Sequence, residues 1–121
     1  MSGNSLTMTI TNSQSYAVTI KDVFVVWNND KGHQVGSDKT LVLQSASLTT
    51  TAGTNTFWTG TSTGPSTTLT STSPLVIPGN GAVTTISFNF NQSYDKLDFT
   101  EEILINLSTP GCELYPLHKT S

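Results

Sequence analysis

The clearest alternation of apolar and polar positions lies at residues 74–90. Pro74, Leu75, Val76 and Ile77 form an apolar run, and Pro78-Gly79-Asn80-Gly81 interrupts it. Beyond the interruption Val83 is apolar beside Thr84 and Thr85, and from Ile86 onward Ile86, Phe88 and Phe90 alternate strictly with Ser87 and Asn89. A period of two is that of a strand with one face covered. Asn80-Gly81 takes positive φ at little cost, and Pro78 presets the entry to a turn. The segment predicts a short apolar strand, a hairpin turn at 78–81, and a long amphipathic strand with Phe88 and Phe90 facing inward.

The rest of the chain supplies partners for that face. Leu6, Met8 and Ile10 alternate with threonines and predict a first strand over 6–12, followed by a turn at 12–15. Residues 16–27 predict a second strand. Val18 and Ile20 share one face, and then 23–27 is continuously apolar, which fits either a central strand covered on both faces or a bulge at Lys21-Asp22. Residues 28–32 read as a turn. Over 34–48 the pattern is weaker: Leu41 and Leu43 share a face, and Val35 and Leu48 join the core. Residues 49–73 are mostly Ser, Thr and Gly around Phe57-Trp58 and Leu69, and predict one or two exposed strands with a hairpin tip at 60–65. After a polar loop at 91–96, Leu97 and Phe99 alternate with Asp98 and Thr100. Residues 103–107 form the last strong strand, with Ile103, Ile105 and Leu107 inward, and Pro110-Gly111 ends it. Residues 112–117 form a short apolar tail that Pro116 restricts to an edge or a docked arm. Roughly seven to nine short strands at turn spacings of about 8–12 residues read as an all-β, antiparallel β-sandwich.

Composition agrees. The chain has 121 residues, one domain over 1–121 with an N-terminal arm (1–5) and a C-terminal tail (112–121). Charged residues make up only 11% and apolar residues 35%; Ser, Thr, Asn and Gly fill the difference, while good helix formers are scarce. The net charge of −3, with five Lys and no cluster among them, argues against nucleic acid and anionic membrane surfaces as partners. No apolar run approaches the roughly 18 residues of a membrane span. The single Cys, Cys112, excludes an internal disulfide and a multi-cysteine zinc site; it is either a small buried hydrophobe or one half of an intermolecular bridge. A low-charge, Thr-rich β chain points to the cell exterior; Met1 is either native or stands where a leader or anchor was removed, and the exterior reading favours the second.

Candidate chemistry is sparse. His33 and His118 are the only side chains whose ordinary titration lies near neutrality; both read as surface histidines, outside any nucleophile motif. Asp95, Asp98, Glu101 and Glu102 form one acidic cluster, read as a solvated strand end that discourages edge pairing. Calcium on Asp30 with Asp38, or on Asp95 with Asp98, stays open; otherwise no metal and no cofactor is expected. Asn91-Gln92-Ser93 and Asn106-Leu107-Ser108 are glycosylation sequons given little weight in so Ser/Thr-rich a chain. Phe57 and Trp58 are the candidate ligand residues: on a strand they point to opposite faces, so one plugs the core and the other is free to stack on a sugar or a partner. Trp27 closes an apolar strand and reads as core.

The order of LTMTITNSQSYAVTIKDVFVVW, a Ser/Thr-rich middle, VIPGNGAVTTISFNF, and a closing strand followed by PGCEL resembles an immunoglobulin-like module of bacterial surface and pilin-like proteins, over about residues 6–114. The resemblance implies a core role for Trp27. The disulfide that such modules form between a Cys near the start and the last Cys has no counterpart here, because the first Cys is absent. From all of this the chain is expected to be a non-enzymatic, extracellular structural or interaction module, a subunit or domain of a surface filament, pilus or surface protein. It would self-associate or bind its parent protein through Leu6, Met8 and Ile10 of the first strand, or Leu114, Tyr115 and Leu117 of the tail, added to a neighbour's sheet edge. The alternative is a carbohydrate-binding module that stacks glycans on Trp58, Phe57 or Tyr94.

Overall fold

The computed structural model describes residues 4–27, 40–71, 74–92, 101–109, 111 and 117–120. Among them are nine strands and no helix: β1 (Ser5–Asn12), β2 (Val18–Val26), β3 (Leu43–Thr50), β4 (Gly53–Ser62), β5 (Ser66–Leu69), β6 (Leu75–Ile77), β7 (Ala82–Phe90), β8 (Glu102–Leu107) and β9 (Leu117–Thr120). They form two antiparallel sheets. Sheet A has the order β1-β7-β3-β4; sheet B has the order β5-β2-β8-β9, with β6 also paired to β2. The all-β sandwich expected from the sequence is the fold observed.

The alternation at 86–90 sets the interior. Ile86, Phe88 and Phe90 are buried, as are Leu6, Met8 and Ile10 on β1 and Leu43, Ala46 and Leu48 on β3. From sheet B, Val18, Ile20, Val23, Val25, Leu69, Ile103, Ile105 and Leu107 face them in one continuous core. On β2 the inward set changes parity between Ile20 and Val23, and the β2–β8 register shifts between Ile20 and Asp22. The bulge at Lys21-Asp22 therefore resolves the two readings of that stretch. It carries one unpaired residue and keeps both halves of the strand facing the core. A register shift at Leu43/Ser45 does the same for β3, where Leu43 and Ala46 are both buried although three positions apart.

Two turns join different elements from those the sequence suggests. Residues 78–81 do turn tightly, with Asn80 at φ 61° and Gly81 at φ 79°. Yet β6 pairs with β2 in sheet B, while β7 pairs with β1 and β3 in sheet A. The expected hairpin at 78–81 is a corner between the sheets. The expected tip at 60–65 is likewise a crossing, because β4 pairs with β3 and β5 pairs with β2. The hairpin in this region is β3–β4, which closes through Thr51-Ala52.

Trp27 and Asn12 fasten opposite ends of the sandwich. Trp27 is fully buried; its indole Nε1 donates to the Leu41 carbonyl at 2.9 Å, its backbone N–H donates to Pro65 O at 2.9 Å, and its ring lies 5.7 Å from that of Phe90. At the other end Asn12 Nδ2 donates to Tyr16 O (3.0 Å) and Ile77 O (3.5 Å), while Asn12 Oδ1 accepts from the N–H of Gln14 (3.1 Å). The N–H groups of Asn80 and Gly81 complete that corner by donating to Gln14 O (2.6 Å) and Asn12 O (2.7 Å).

Candidate functional site

The aromatic pair on β4 departs from simple alternation. Ala46 lies opposite Trp58 and Ser47 opposite Thr56, so Phe57 is an extra residue on β4. A bulge of this kind cancels the two-residue period locally, and both rings pack, partly buried, against the core. The expectation that one ring plugs the core and the other stands free is corrected on that ground. Trp58 also lies across its own strand: a Cβ on Gly60 would come 3.0 Å from Trp58 Cζ2.

The residues expected to mediate assembly fall into two groups. Leu6, Met8 and Ile10 point into the chain's own core, so what β1 offers a neighbour is its outer backbone edge, which no other described strand pairs. The carbonyl of Thr7 on that edge already accepts from Lys119 Nζ at 2.9 Å, which ties the outer strand of sheet B to the outer strand of sheet A. Leu117 begins β9 and packs, partly buried, against the core. Leu114, Tyr115, Tyr94, His33, Cys112, the strand expected at 97–100 and both calcium pairs (Asp30 with Asp38, Asp95 with Asp98) lie outside the described residues. Among the described residues no cluster of three or more His, Cys, Asp or Glu side chains comes together.

Of the acidic cluster, Glu102 is half-exposed and meets His118 Nε2 at 2.7 Å on the surface of the β8–β9 pair. Glu101 is fully buried, a correction to its reading as part of a solvated strand end. The sequon asparagines are both engaged: Asn106 Nδ2 donates to Asp22 Oδ1 at 2.6 Å, and Asn91 Oδ1 accepts from the N–H of Val42 at 2.9 Å.

What stands out among the described residues is the outer face of sheet A. Strand registers align three rows across its four strands: Thr9–Thr85–Thr49–Thr54, Thr7–Ser87–Ser47–Thr56, and Ser5–Asn89–Ser45–Thr59. Every member carries a hydroxyl or an amide. Within rows, Ser5 Oγ donates to Asn89 Oδ1 (2.7 Å), Asn89 Nδ2 to Ser45 Oγ (3.2 Å), and the Thr49 and Thr54 hydroxyls meet at 2.9 Å. Strands lie about 4.8 Å apart and same-face residues about 6.7 Å apart along a strand, so the face is a regular array of neutral donors and acceptors. No Asp, Glu, Lys or Arg occurs in residues 1–20 or 40–94, and all four strands of sheet A come from those two blocks. The described charges, Lys21, Asp22, Glu101, Glu102 and Lys119, all lie on or beside sheet B. The sequence held this signal as two charge-free blocks; periodicity alone did not bring them together, because the pairings that do so are long-range. Such a face offers hydrogen bonds and methyl contacts without charge. Among the described residues, the side chains of these rows include no titratable group.

No protein-family model, curated protein or solved structure matches this chain.

Proposed function

We propose that this chain is a non-enzymatic structural module of the cell exterior, of immunoglobulin-like type, that serves as a subunit or domain of a bacterial surface filament, pilus or surface protein and contacts other copies or its parent protein. One observation carries the reading: the four strands of sheet A hold no charged residue, and their outward side chains form ordered rows of hydroxyls and amides. A neutral face avoids the like-charge repulsion that copies of an acidic chain would otherwise meet. The remaining edges support contacts of limited kind, since Lys119 caps the β1 edge at Thr7 and bulges interrupt β4. The test is sedimentation and negative-stain microscopy of the full chain, and of a version ending at residue 111, together with material from the native source. Concentration-dependent association into ordered assemblies is expected. Monomers at every concentration, with no ordered assembly in native material, would overturn the reading.

A further inference from the structure

The corner between β6 and β7 holds the chain's only Asn-Gly step, Asn80-Gly81. In such a step the glycine nitrogen can attack the asparagine Cγ and close an unstrained succinimide ring. Reactions within one chain gain a large advantage in effective concentration. Glycine favours this one because no Cβ shields the nitrogen or restricts the rotation that brings it to Cγ. The other described asparagines are poorer candidates. The side chains of Asn4, Asn12, Asn89, Asn91 and Asn106 are held in hydrogen bonds. Asn55 is exposed, but Thr56 follows it, and a β-branched side chain crowds that amide. Asn80 and Gly81 are both exposed, and no side-chain hydrogen bond joins Asn80 to another described residue. No described residue beyond its chain neighbours lies within 4 Å of where a Gly81 Cβ would stand. Water therefore reaches the step, and ammonia can leave it.

The fold holds the step shut. Asn80 has φ 61° and Gly81 φ 79°. The N–H of Gly81 donates to Asn12 O at 2.7 Å, and the N–H of Asn80 to Gln14 O at 2.6 Å. Ring closure requires the Gly81 nitrogen to lose its proton and turn toward Cγ. The bond to Asn12 retains that proton and fixes the peptide plane. Asn12 is anchored in turn, its Nδ2 donating to Tyr16 O and Ile77 O and its Oδ1 accepting from the N–H of Gln14.

We propose that Asn80 is a self-modification site gated by this corner: it is inert while the Gly81 N–H holds Asn12 O, and reacts with Gly81 when the corner opens locally. A base in solution removes the Gly81 amide proton, and the nitrogen's electron pair forms the bond to Asn80 Cγ. The Cγ–Nδ2 bond breaks, and Nδ2 leaves as ammonia after taking a proton from water. A second water opens the ring. Cleavage of the new N–Cγ bond leaves an aspartate in a normal backbone. Cleavage of the original peptide bond leaves an isoaspartate, whose backbone runs through Cβ and Cγ. The sum is one amide and one water giving one carboxylate and one ammonium. Either product puts a charge into residues 40–94, which have none, and adds one negative charge to a net charge of −3. The isoaspartate also lengthens the backbone at a turn that two hydrogen bonds keep in register. The two bonds cannot both re-form, and the link from β6 in sheet B to β7 in sheet A stays loosened.

Peptide mapping by mass spectrometry tests it, on the full chain held in mildly alkaline buffer with and without denaturing urea. In urea Asn80 should convert before every other asparagine. In the folded chain it should convert at least about tenfold more slowly, because local opening limits it. Asn12→Ala, which removes the side-chain anchors, should bring the folded rate toward the urea rate. The isoaspartate form, separated by ion exchange, should show faster hydrogen exchange at residues 12–17 and 77–82 than the unconverted chain. The comparison of folded chain with urea needs no variant, so it decides the matter even where Asn12→Ala does not fold. Equal rates in the two conditions overturn the gate, as does a folded Asn12→Ala chain that converts no faster. Conversion that begins at another asparagine in urea overturns the site, and unchanged exchange in the isoaspartate form overturns the loosening.

Discussion

Trp27 shows how one side chain sets the tolerance of its surroundings. Its ring fills the space beside Gly64, where a Cβ would lie 2.6 Å from Cζ2 and 2.7 Å from Cε2. Gly64 also has φ 71°, a region costly for any residue with a Cβ. Gly64→Ala therefore combines overpacking with backbone strain and should lower stability by about 2–4 kcal/mol in urea unfolding. Gly111→Ala, at φ 89° with no other described residue within 4 Å of the added Cβ, should cost only about 1–2 kcal/mol. Thr84 presents the opposite case. It is fully buried, and its hydroxyl has no hydrogen-bond partner among the described residues. Thr84→Val keeps the shape and removes the desolvated hydroxyl, so it should raise stability by about 1 kcal/mol, read as a higher urea midpoint at unchanged m-value. The inward roles of Phe88, Phe90 and Trp27 were legible in the sequence because bulk and period agreed there. The burial of Thr84 and Glu101 was not, because a polar residue in a polar stretch carries no local mark of being inside.

Elements were legible where periodicity ran for several residues, as in β1, β7 and β8. On β2 the parity change around Lys21-Asp22 was visible, but it left a bulge and a strand covered on both faces as alternatives, which the β2–β8 register settles. Connections were less legible. Pro78-Gly79-Asn80-Gly81 announces a turn, but turn chemistry is local and does not state which sheet each arm joins. That choice is made by distant pairings, Val18 with Ile77 on one side and Asn12 with Ala82 on the other. The aromatic pair failed for a related reason: the extra residue on β4 overrides the two-residue period that would separate Phe57 from Trp58. The corner itself is sensitive. A Cβ on Gly79 would lie 2.5 Å from Tyr16 O and 2.7 Å from Gln14 O, and backbone atoms cannot swing aside as a side-chain tip can. Gly79→Ala should cost about 3 kcal/mol or more, and hydrogen exchange should quicken first at residues 12–17 and 77–82. Uniform loss of protection across both sheets would show that the corner is not a separate point of weakness.

At the scale of the whole molecule, the fold turns an uneven distribution of charge along the chain into an uneven surface. Two charge-free blocks, brought together by the β1–β7 and β3–β7 pairings, give sheet A strands with no charged residue, while the described charged residues belong to or flank sheet B, with the Lys119 ammonium reaching the β1 edge at Thr7. The uncharged strands of sheet A are the surface on which the proposed contacts rely. The functional part of the sequence reading was legible only as a class, since a face made of hydroxyl rows exists only after the strands are aligned.

Neutral contact surfaces have a distinctive response to salt. Contacts made by opposite charges weaken as ions screen them. Contacts between uncharged surfaces of a chain with net charge −3 do not weaken, and the residual repulsion between copies falls. The most direct measurement is the self-association constant from sedimentation velocity as salt is raised from about 0.05 M to about 0.5 M. The account predicts an association constant that stays level or rises. An association constant that falls steeply with salt, or a chain that remains monomeric throughout, would contradict it.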